Sequence, residues 1–207
     1  VDTRLKVAIL GSGNIGTDLL MKIRRSTDLD CTLFIGRNRE SRGLARAREI
    51  GVRVSAAGIQ AIVDDPESCD LVFDATSAGE HVKHEIILSA LGKRVIDMTP
   101  SRVGAMAVPA INLDRLLNER NVNMVSCGGQ ASTPLAYAIA QTQAEVEYYE
   151  VVSSIASLSA GPATRANIDE YIDTTENALR AFTGCPDTKT ILILNPAQPP
   201  IHMQTTV

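Results

Sequence analysis

LKVAIL, residues 5–10, runs without a break into GSGNIG, residues 11–16. An apolar strand that ends in G-x-G-x-x-G and then turns helical has few uses. In the dinucleotide-binding βαβ unit the first glycine allows the tight turn and the second lets a pyrophosphate approach the backbone. The third lets helix and strand pack closely. The helix start then offers free N–H groups and a partial positive charge to phosphates. Alone, the pattern also fits a merely tight turn. The pattern of the next ninety or so residues decides between the two.

Strand-like and helix-like segments alternate there. Thr17–Arg25 carries Leu19, Leu20 and Ile23 near helical spacing, and Cys31–Ile35 is a short apolar run. Ser41–Ile50 reads as a helix, Val52–Val54 as a third strand and Leu71–Ala75 as a fourth. Glu80–Leu91 is helical in pattern and Arg94–Met98 is a fifth strand. Such alternation predicts an α/β fold with a doubly wound parallel sheet of Rossmann type. After Pro100 the pattern changes. SRVGAMAVPAIN reads as loop, Leu113–Glu119 as a short helix and Val122–Ser126 as a strand. Pro134–Gln143 reads as a helix, Glu147–Ser157 as a long strand with one face covered, and SAGPATRAN as a loop. Ile168–Phe182 is a helix and Thr190–Leu194 a strand, and PPIHMQTTV looks like the start of another. We therefore expect a dinucleotide-binding domain over residues 1–126 and an α+β domain over residues 127–207 that is incomplete.

Composition excludes several classes. The 207 residues suffice for a sizeable core, and 44% hydrophobic with 21% charged residues is ordinary for a globular protein. A net charge of −4, no Trp and 3% aromatics argue against nucleic acid. No apolar run approaches the roughly 18 residues of a membrane span, and no secretory signal precedes the first strand. Cytoplasmic location is the default expectation. The four cysteines, Cys31, Cys69, Cys127 and Cys185, form no CxxC pair, so neither zinc nor disulfides are expected.

Two local features bear on chemistry. An NAD site usually places an acid about 20 residues past the glycine loop, on the ribose 2′-OH. Here the second strand leads into GRNRESR, with Arg37, Asn38, Arg39 and Arg42. These arginines suit a 2′-phosphate, or they form a solvated basic turn. NADP thus stands open beside NAD. The second feature is Cys127, between a strand and Gly128–Gly129. A helix beginning there would lower its pKa and favour thiolate, and its amides would hold an oxyanion. The glycines would leave backbone uncovered for a substrate. A buried core thiol fits the same spacing; Cys31, Cys69 and Cys185 read as structural. A dinucleotide with a thiolate suggests one reaction: aldehyde to thiohemiacetal, hydride loss to a thioester, release to a second nucleophile. His81 and His84, at i and i+3, read as a surface helix, since two ligands are too few for a metal.

KVAILGSGNIGTDLL, GLARAREIGV, LVFDATSAGEHVK, VIDMTP, VPAINL, NVNMVSCGGQAS, SAGPATRANIDEY and LNPAQPP together resemble the acylating acetaldehyde dehydrogenases, over residues 6–200. That family uses coenzyme A as acyl acceptor and works beside a 4-hydroxy-2-oxovalerate aldolase in aromatic meta-cleavage catabolism. The resemblance implies a second domain of semialdehyde-dehydrogenase type, a homodimer or hetero-oligomer, and small aldehydes as substrates. It implies Cys127 as acyl-thioester nucleophile, and Gly11, Ser12, Gly13, Asn14, Ile15 and Gly16 as the dinucleotide loop. It also implies a second cofactor loop over Leu158–Asn167: Ser159, Ala160, Gly161, Pro162, Ala163, Thr164, Arg165 and Asn167. Arg165 and Asn167 would orient the cofactor, or simply begin the following helix. Thr76 and Ser77, at a strand end, are expected near the cofactor.

The sequence departs from the family's pattern at several positions. Ala163 replaces a family Gly, which costs stability if that position needs positive φ. Asn38 stands where the family has an acid, and Gln204 and Thr205 replace its Arg and its Asp, a proposed acid/base. Thr is no substitute base, and His202 is the nearby titratable candidate, on the opposite face if the segment is a strand. Family members also continue past the equivalent of Val207. These departures keep other readings open: a dinucleotide-binding scaffold for an aldolase, without turnover, or a reductase of an acyl phosphate. The Glu147–Ser157 strand is the expected element of self-association.

Overall fold

A computed structural model describes residues 3–143 and 145–207. The elements in chain order are β1 (Leu5–Leu10), α1 (Asn14–Ile23), β2 (Leu29–Ile35), α2 (Arg42–Glu49), β3 (Val54–Ser55), α3 (Gln60–Asp64), β4 (Leu71–Asp74), α4 (Ala78–Ala90) and β5 (Arg94–Asp97). Next come β6 (Ala105–Met106), α5 (Pro109–Asn112), β7 (Asn121–Asn123), α6 (Cys127–Thr142), β8 (Tyr148–Ala156), α7 (Pro162–Ala166), α8 (Ile168–Thr183), β9 (Asp187–Asn195) and β10 (Gln204–Thr206). The chain forms two compact units. One runs up to Thr99 and takes back Glu119–Val122; the other comprises Pro100–Asn118 and Asn123–Val207.

The larger sheet has the order β3-β2-β1-β4-β5-β7-β6. β1 pairs in parallel with both β2 and β4, β2 with β3, and β4 with β5. Side chains of β1 alternate between two cores, as the period of a strand requires. Val7 and Ile9 join Phe34 and Phe73 beneath Leu20, Ile23 and Leu44 of α1 and α2. Ala8 and Leu10 join Leu33, Ile35, Val72 and Val95 beneath Ile62 and Leu88 of α3 and α4. Both faces are therefore covered, which is why these strands read as continuous apolar runs. The winding reverses between β1 and β4, and the crevice past their carboxyl ends is where open α/β sheets bind ligands.

In the second unit β8 lies between β9, parallel, and β10, antiparallel. Tyr149 and Val151 of β8 meet Ala136 of α6 and Leu179 of α8, while Tyr148, Ile191 and Ile193 stay exposed on the sheet. The predicted single covered face is present. The strand proposed for self-association has both edges paired, so any association through it would use its open face.

Several elements differ from the pattern-based expectation. The helix after the glycine loop begins at Asn14, not Thr17. The third strand is Val54–Ser55, and Gln60–Asp64 is a helix the periodicity did not reveal. Residues 113–119 contain only a 3-10 turn, Leu113–Leu116, and the loop before them holds β6 and α5. The Val122–Ser126 strand stops at Asn123, because Val125 adopts φ 62° and its amide bonds the Asn123 side chain. The Pro134–Gln143 helix begins at Cys127 and carries Pro134 inside it, where a face packed on β8 and α8 outweighs the proline's lost bond. SAGPATRAN contains α7.

The largest correction concerns His81 and His84, expected on a surface helix. Both are buried, at 0% and 7% exposure, and both Nδ1 atoms sit on one oxygen of Asp74, at 2.9 and 2.8 Å. Their face of α4 packs on the end of β4, where a fully buried carboxylate requires donors. His81 Nε2 also lies 3.4 Å from Asp97 Oδ2, and Asn121 links it to Glu85. Burial alone would raise the Asp74 carboxyl, but the bonds from His81, His84 and Thr76 hold it at about 2. Burial works to lower the His81 pKa, and Asp74 and Asp97 override it and raise it. Asp74 thus contributes stability above its ordinary 3.8 that is lost as pH falls toward 2. Asp74→Asn should cost about 3 kcal/mol in urea unfolding at neutral pH, and the gap from the parent should narrow as pH drops through that window.

Candidate active site

The glycine loop directly succeeds β1. Gly11 takes φ 123°, and a Cβ there would collide with the Ala75 carbonyl. A Cβ on Gly16 would collide with the Gly11 carbonyl, whereas one on Gly13 would meet nothing within 4 Å. The first and third glycines are thus needed by the fold, and the second borders open space. Gly13 is the N-cap of α1 and makes no side-chain cap bond, and the first turn carries no acid. The amides of Asn14, Ile15 and Gly16 therefore stand ready for an anion. Ser12 Oγ is 2.9 Å from Ser41 Oγ at the cap of α2. Thr76 is drawn beside Gly11 at the switch point, its amide and hydroxyl both donating to Asp74, and Ser77 stands at the N-cap position of α4 without a side-chain cap bond. This cradle, tight where glycines are required and open at Gly13, fits a dinucleotide pyrophosphate.

Cys127 is the first residue of α6 and is solvent-accessible. The preceding Ser126 caps the helix, its Oγ accepting from the Gly129 amide at 2.8 Å. Ser126 donates in turn to Thr175, whose hydroxyl is committed to the Tyr171 carbonyl, and so α6 is tied to α8. Gln130 donates to the Ala107 and Met124 carbonyls and pins the same turn. With Gly129 capped, the amides of Cys127 and Gly128 remain for the sulfur. The thiol is nevertheless pushed up, not down. Protein packed around the sulfur raises its pKa more than those two amides lower it. The expectation of a thiolate from helix-terminus electrostatics alone is overturned: desolvation is the larger effect.

The two glycines after Cys127 also have a different task from the expected one. Both are buried. A Cβ on Gly128 would overlap the Tyr171 hydroxyl and come within 2.8 Å of Ser153 Oγ, and one on Gly129 would press on Val125. They let α6 approach its neighbours and do not bare backbone to a substrate. The Tyr171 hydroxyl is buried without a well-aligned hydrogen-bond partner, and burial raises its pKa to about 12, with Cys127 adding to the rise. Ser153 Oγ lies 3.2 Å from Thr205 Oγ1, across the β8–β10 pairing. Thr205 thus stands in the polar cluster under the Cys127 turn, while His202 lies outside β10 and is exposed.

Ser126, Ser153, Tyr171 and Thr175 were missed from the sequence. One signal was available: Ser153 occupies an inward position of β8 between buried Val151 and Ile155.

The second loop folds onto itself. Arg165 donates to the Ala160 carbonyl at 3.0 Å and to Ser157. The buried Asn167 donates to the Ala163 carbonyl at 2.8 Å and makes no side-chain cap for α8. Both side chains shape the loop of Leu158–Asn167. Ala163 sits inside α7 and is absent from the positive-φ residues, so the strain expected there does not arise. Among the described residues, no group of three His, Cys, Asp or Glu side chains is placed to hold a metal, and no helix is long and apolar enough to cross a membrane.

Residues 6–119 match the semialdehyde dehydrogenase NAD binding domain, and residues 127–207 match the prokaryotic acetaldehyde dehydrogenase dimerisation domain. The acetaldehyde dehydrogenase of Pectobacterium atrosepticum is 61% identical over 100% of this chain and 71% of its own length. That of Geobacillus stearothermophilus is 52% identical over 99% of this chain and 69% of its own. The chain belongs to the acetaldehyde dehydrogenase family. It is an oxidoreductase with a nicotinamide-cofactor domain, as the motif resemblance implied. Among solved structures, a Candida albicans aspartate semialdehyde dehydrogenase with NADP superposes at TM-score 0.65 and 10% identity, over 93% of this chain and 69% of that one. A Vibrio cholerae aspartate semialdehyde dehydrogenase II complexed with ASA gives 0.61 and 15%, over 98% and 70%. At such identities they bear on the fold of this acetaldehyde dehydrogenase alone.

The environment of Cys127 makes two outcomes testable. Its alkylation by iodoacetamide should keep accelerating past pH 9, the ordinary thiol value. Gly128→Ala should destabilise the chain by about 1–3 kcal/mol through overpacking, measured by urea unfolding.

Proposed function

We propose that the chain oxidises acetaldehyde, or propanal, to the acyl-coenzyme A, with NAD as acceptor and NADP as the other candidate. The observation that carries this is an accessible thiol at the first turn of a sixteen-residue helix, with its own amide and that of Gly128 turned to the sulfur. Deprotonated Cys127 Sγ attacks the aldehyde carbon and forms a C–S bond, and the carbonyl electrons move to oxygen. The same two amides stabilise that oxyanion. A bound nicotinamide supplies the acceptor for the hydride lost as the C=O re-forms. This leaves an acyl thioester on Cys127. The coenzyme A thiol attacks it, its proton goes to solvent, and Cys127 is released.

In this reading residues 1–126 hold the cofactor and residues 127–207 supply catalysis and dimerisation. Gly11–Gly16 take the pyrophosphate. Thr76 and Ser77 extend the cofactor site within the first unit, and Ser159–Arg165 and Asn167 are a second cofactor-contacting loop of the second. The cytoplasm, aromatic-compound catabolism and a hetero-oligomer with 4-hydroxy-2-oxovalerate aldolase belong to the same proposal. A second reading, an impaired dinucleotide-binding scaffold for that aldolase, is favoured by the raised thiol and by Thr205 in place of a carboxylate.

Intact mass after incubation with acetaldehyde and either NAD or NADP, without coenzyme A, separates the two. An acetyl adduct that vanishes in Cys127→Ser is expected; an unmodified parent would sink the enzymatic reading. Thr205→Asp should speed adduct formation at pH 7 by about tenfold or more, because it adds a general base beside Ser153.

A further inference from the structure

We propose that the dinucleotide site prefers a 2′-phosphorylated cofactor, with Arg39 and Arg42 binding the 2′-phosphate. This rests on the dinucleotide reading above and sharpens it.

β2 ends at Ile35, and the next residues are Gly36, Arg37 and Asn38. A Cβ on Gly36 would collide with the Ser12 side chain, so the strand tip lies directly against the phosphate loop. A ribose 2′-OH would need a carboxylate at this tip, and none is there. Asn38 is no replacement. Its Oδ1 accepts from the Glu40 amide at 2.9 Å and its carbonyl accepts from Ser41 at 3.0 Å, which closes a turn. Glu40, the first acid, sits within that turn and beyond the tip.

The arginines around this turn are not equivalent. Arg37 is paired with Glu80 at 3.0 Å and Arg46 with Glu49 at 3.2 Å. Arg39 and Arg42 have no acidic partner among the described residues. Arg42 lines a cavity of about 600 Å³ together with Ser12, Gly13 and Asn14. Ser41, whose hydroxyl caps α2, bonds Ser12 across the same gap, and the first turn of α2 carries no acid. A merely solvated basic turn would not share a cavity with the phosphate loop. The unneutralised Arg42 borders that loop and Arg39 stands in the adjoining turn; the two guanidinium groups match a second phosphate, which they can bind through charge-assisted, bidentate hydrogen bonds. NAD offers nothing to satisfy them.

Titrating the chain with NADPH and with NADH isolates the 2′-phosphate, the only difference between the ligands. NADPH should bind at least about tenfold more tightly at low ionic strength, with the advantage shrinking as salt rises. Arg39→Gln and Arg42→Gln should each narrow the ratio, and together bring it to parity, while Arg48→Gln, on the same helix, should leave it in place. All three side chains are exposed, so folding should survive. Equal or tighter NADH binding, or a ratio that neither variant moves, overturns the proposal and spares the dinucleotide reading. Failure of both ligands to bind overturns that reading, and this proposal with it.

Discussion

The first unit turns on one buried carboxylate. Asp74 ends β4, and two imidazoles of α4 share one of its oxygens while Thr76 takes the other. Those bonds set the angle at which the chain leaves the sheet and enters α4. They also bring residues 75 and 76 against Gly11, where the glycine loop has no room for a side chain. The glycine loop is therefore held from behind by a charge that water cannot reach. A charge so enclosed needs full satisfaction, and the sequence supplies four donors for it within ten residues.

The second unit solves a related problem with hydroxyl groups. Ser126, Thr175, Ser153, Thr205 and Tyr171 surround the start of α6, and none of them carries a formal charge. They position the first turn through packing and neutral hydrogen bonds. The consequence for Cys127 is electrostatic. Among the described residues no nearby cation offsets desolvation, and the thiol stays protonated further up the pH scale than a free one.

How far the sequence carried depended on the range of the forces involved. Alternation along LKVAIL, the glycine spacing and the strand–helix rhythm are local, and they located the parallel sheet and its loop. The start of α6 is not legible locally because Pro134 looks like a boundary, and only the contact of that face with β8 and α8 makes it interior. His81 and His84 looked like surface polar residues because nothing within a turn of them reveals a carboxylate seven and ten positions away on a strand end. Gly128 and Gly129 drew notice for their proximity to the cysteine, yet their necessity comes from Tyr171 and Val125. Tyr171 lies far along the chain from Gly128, so no local pattern could announce it. Resemblance carried what local pattern did not: the family to which the chain belongs.

Val125 sits two residues before the thiol, under a constraint of its own. A β-branched residue in the left-handed region stores on the order of 1–3 kcal/mol. Relief would come from glycine or asparagine, yet the side chain is fully buried with Val108 and Ala178, and it abuts Gly129. Mutational drift at this position meets a penalty from either side: relax the backbone and the core opens, keep the core and the strain persists. Stability gained here would be drawn from the placement of the thiol, so a sturdier chain and a fixed position for the Cys127 sulfur are competing outcomes at one residue.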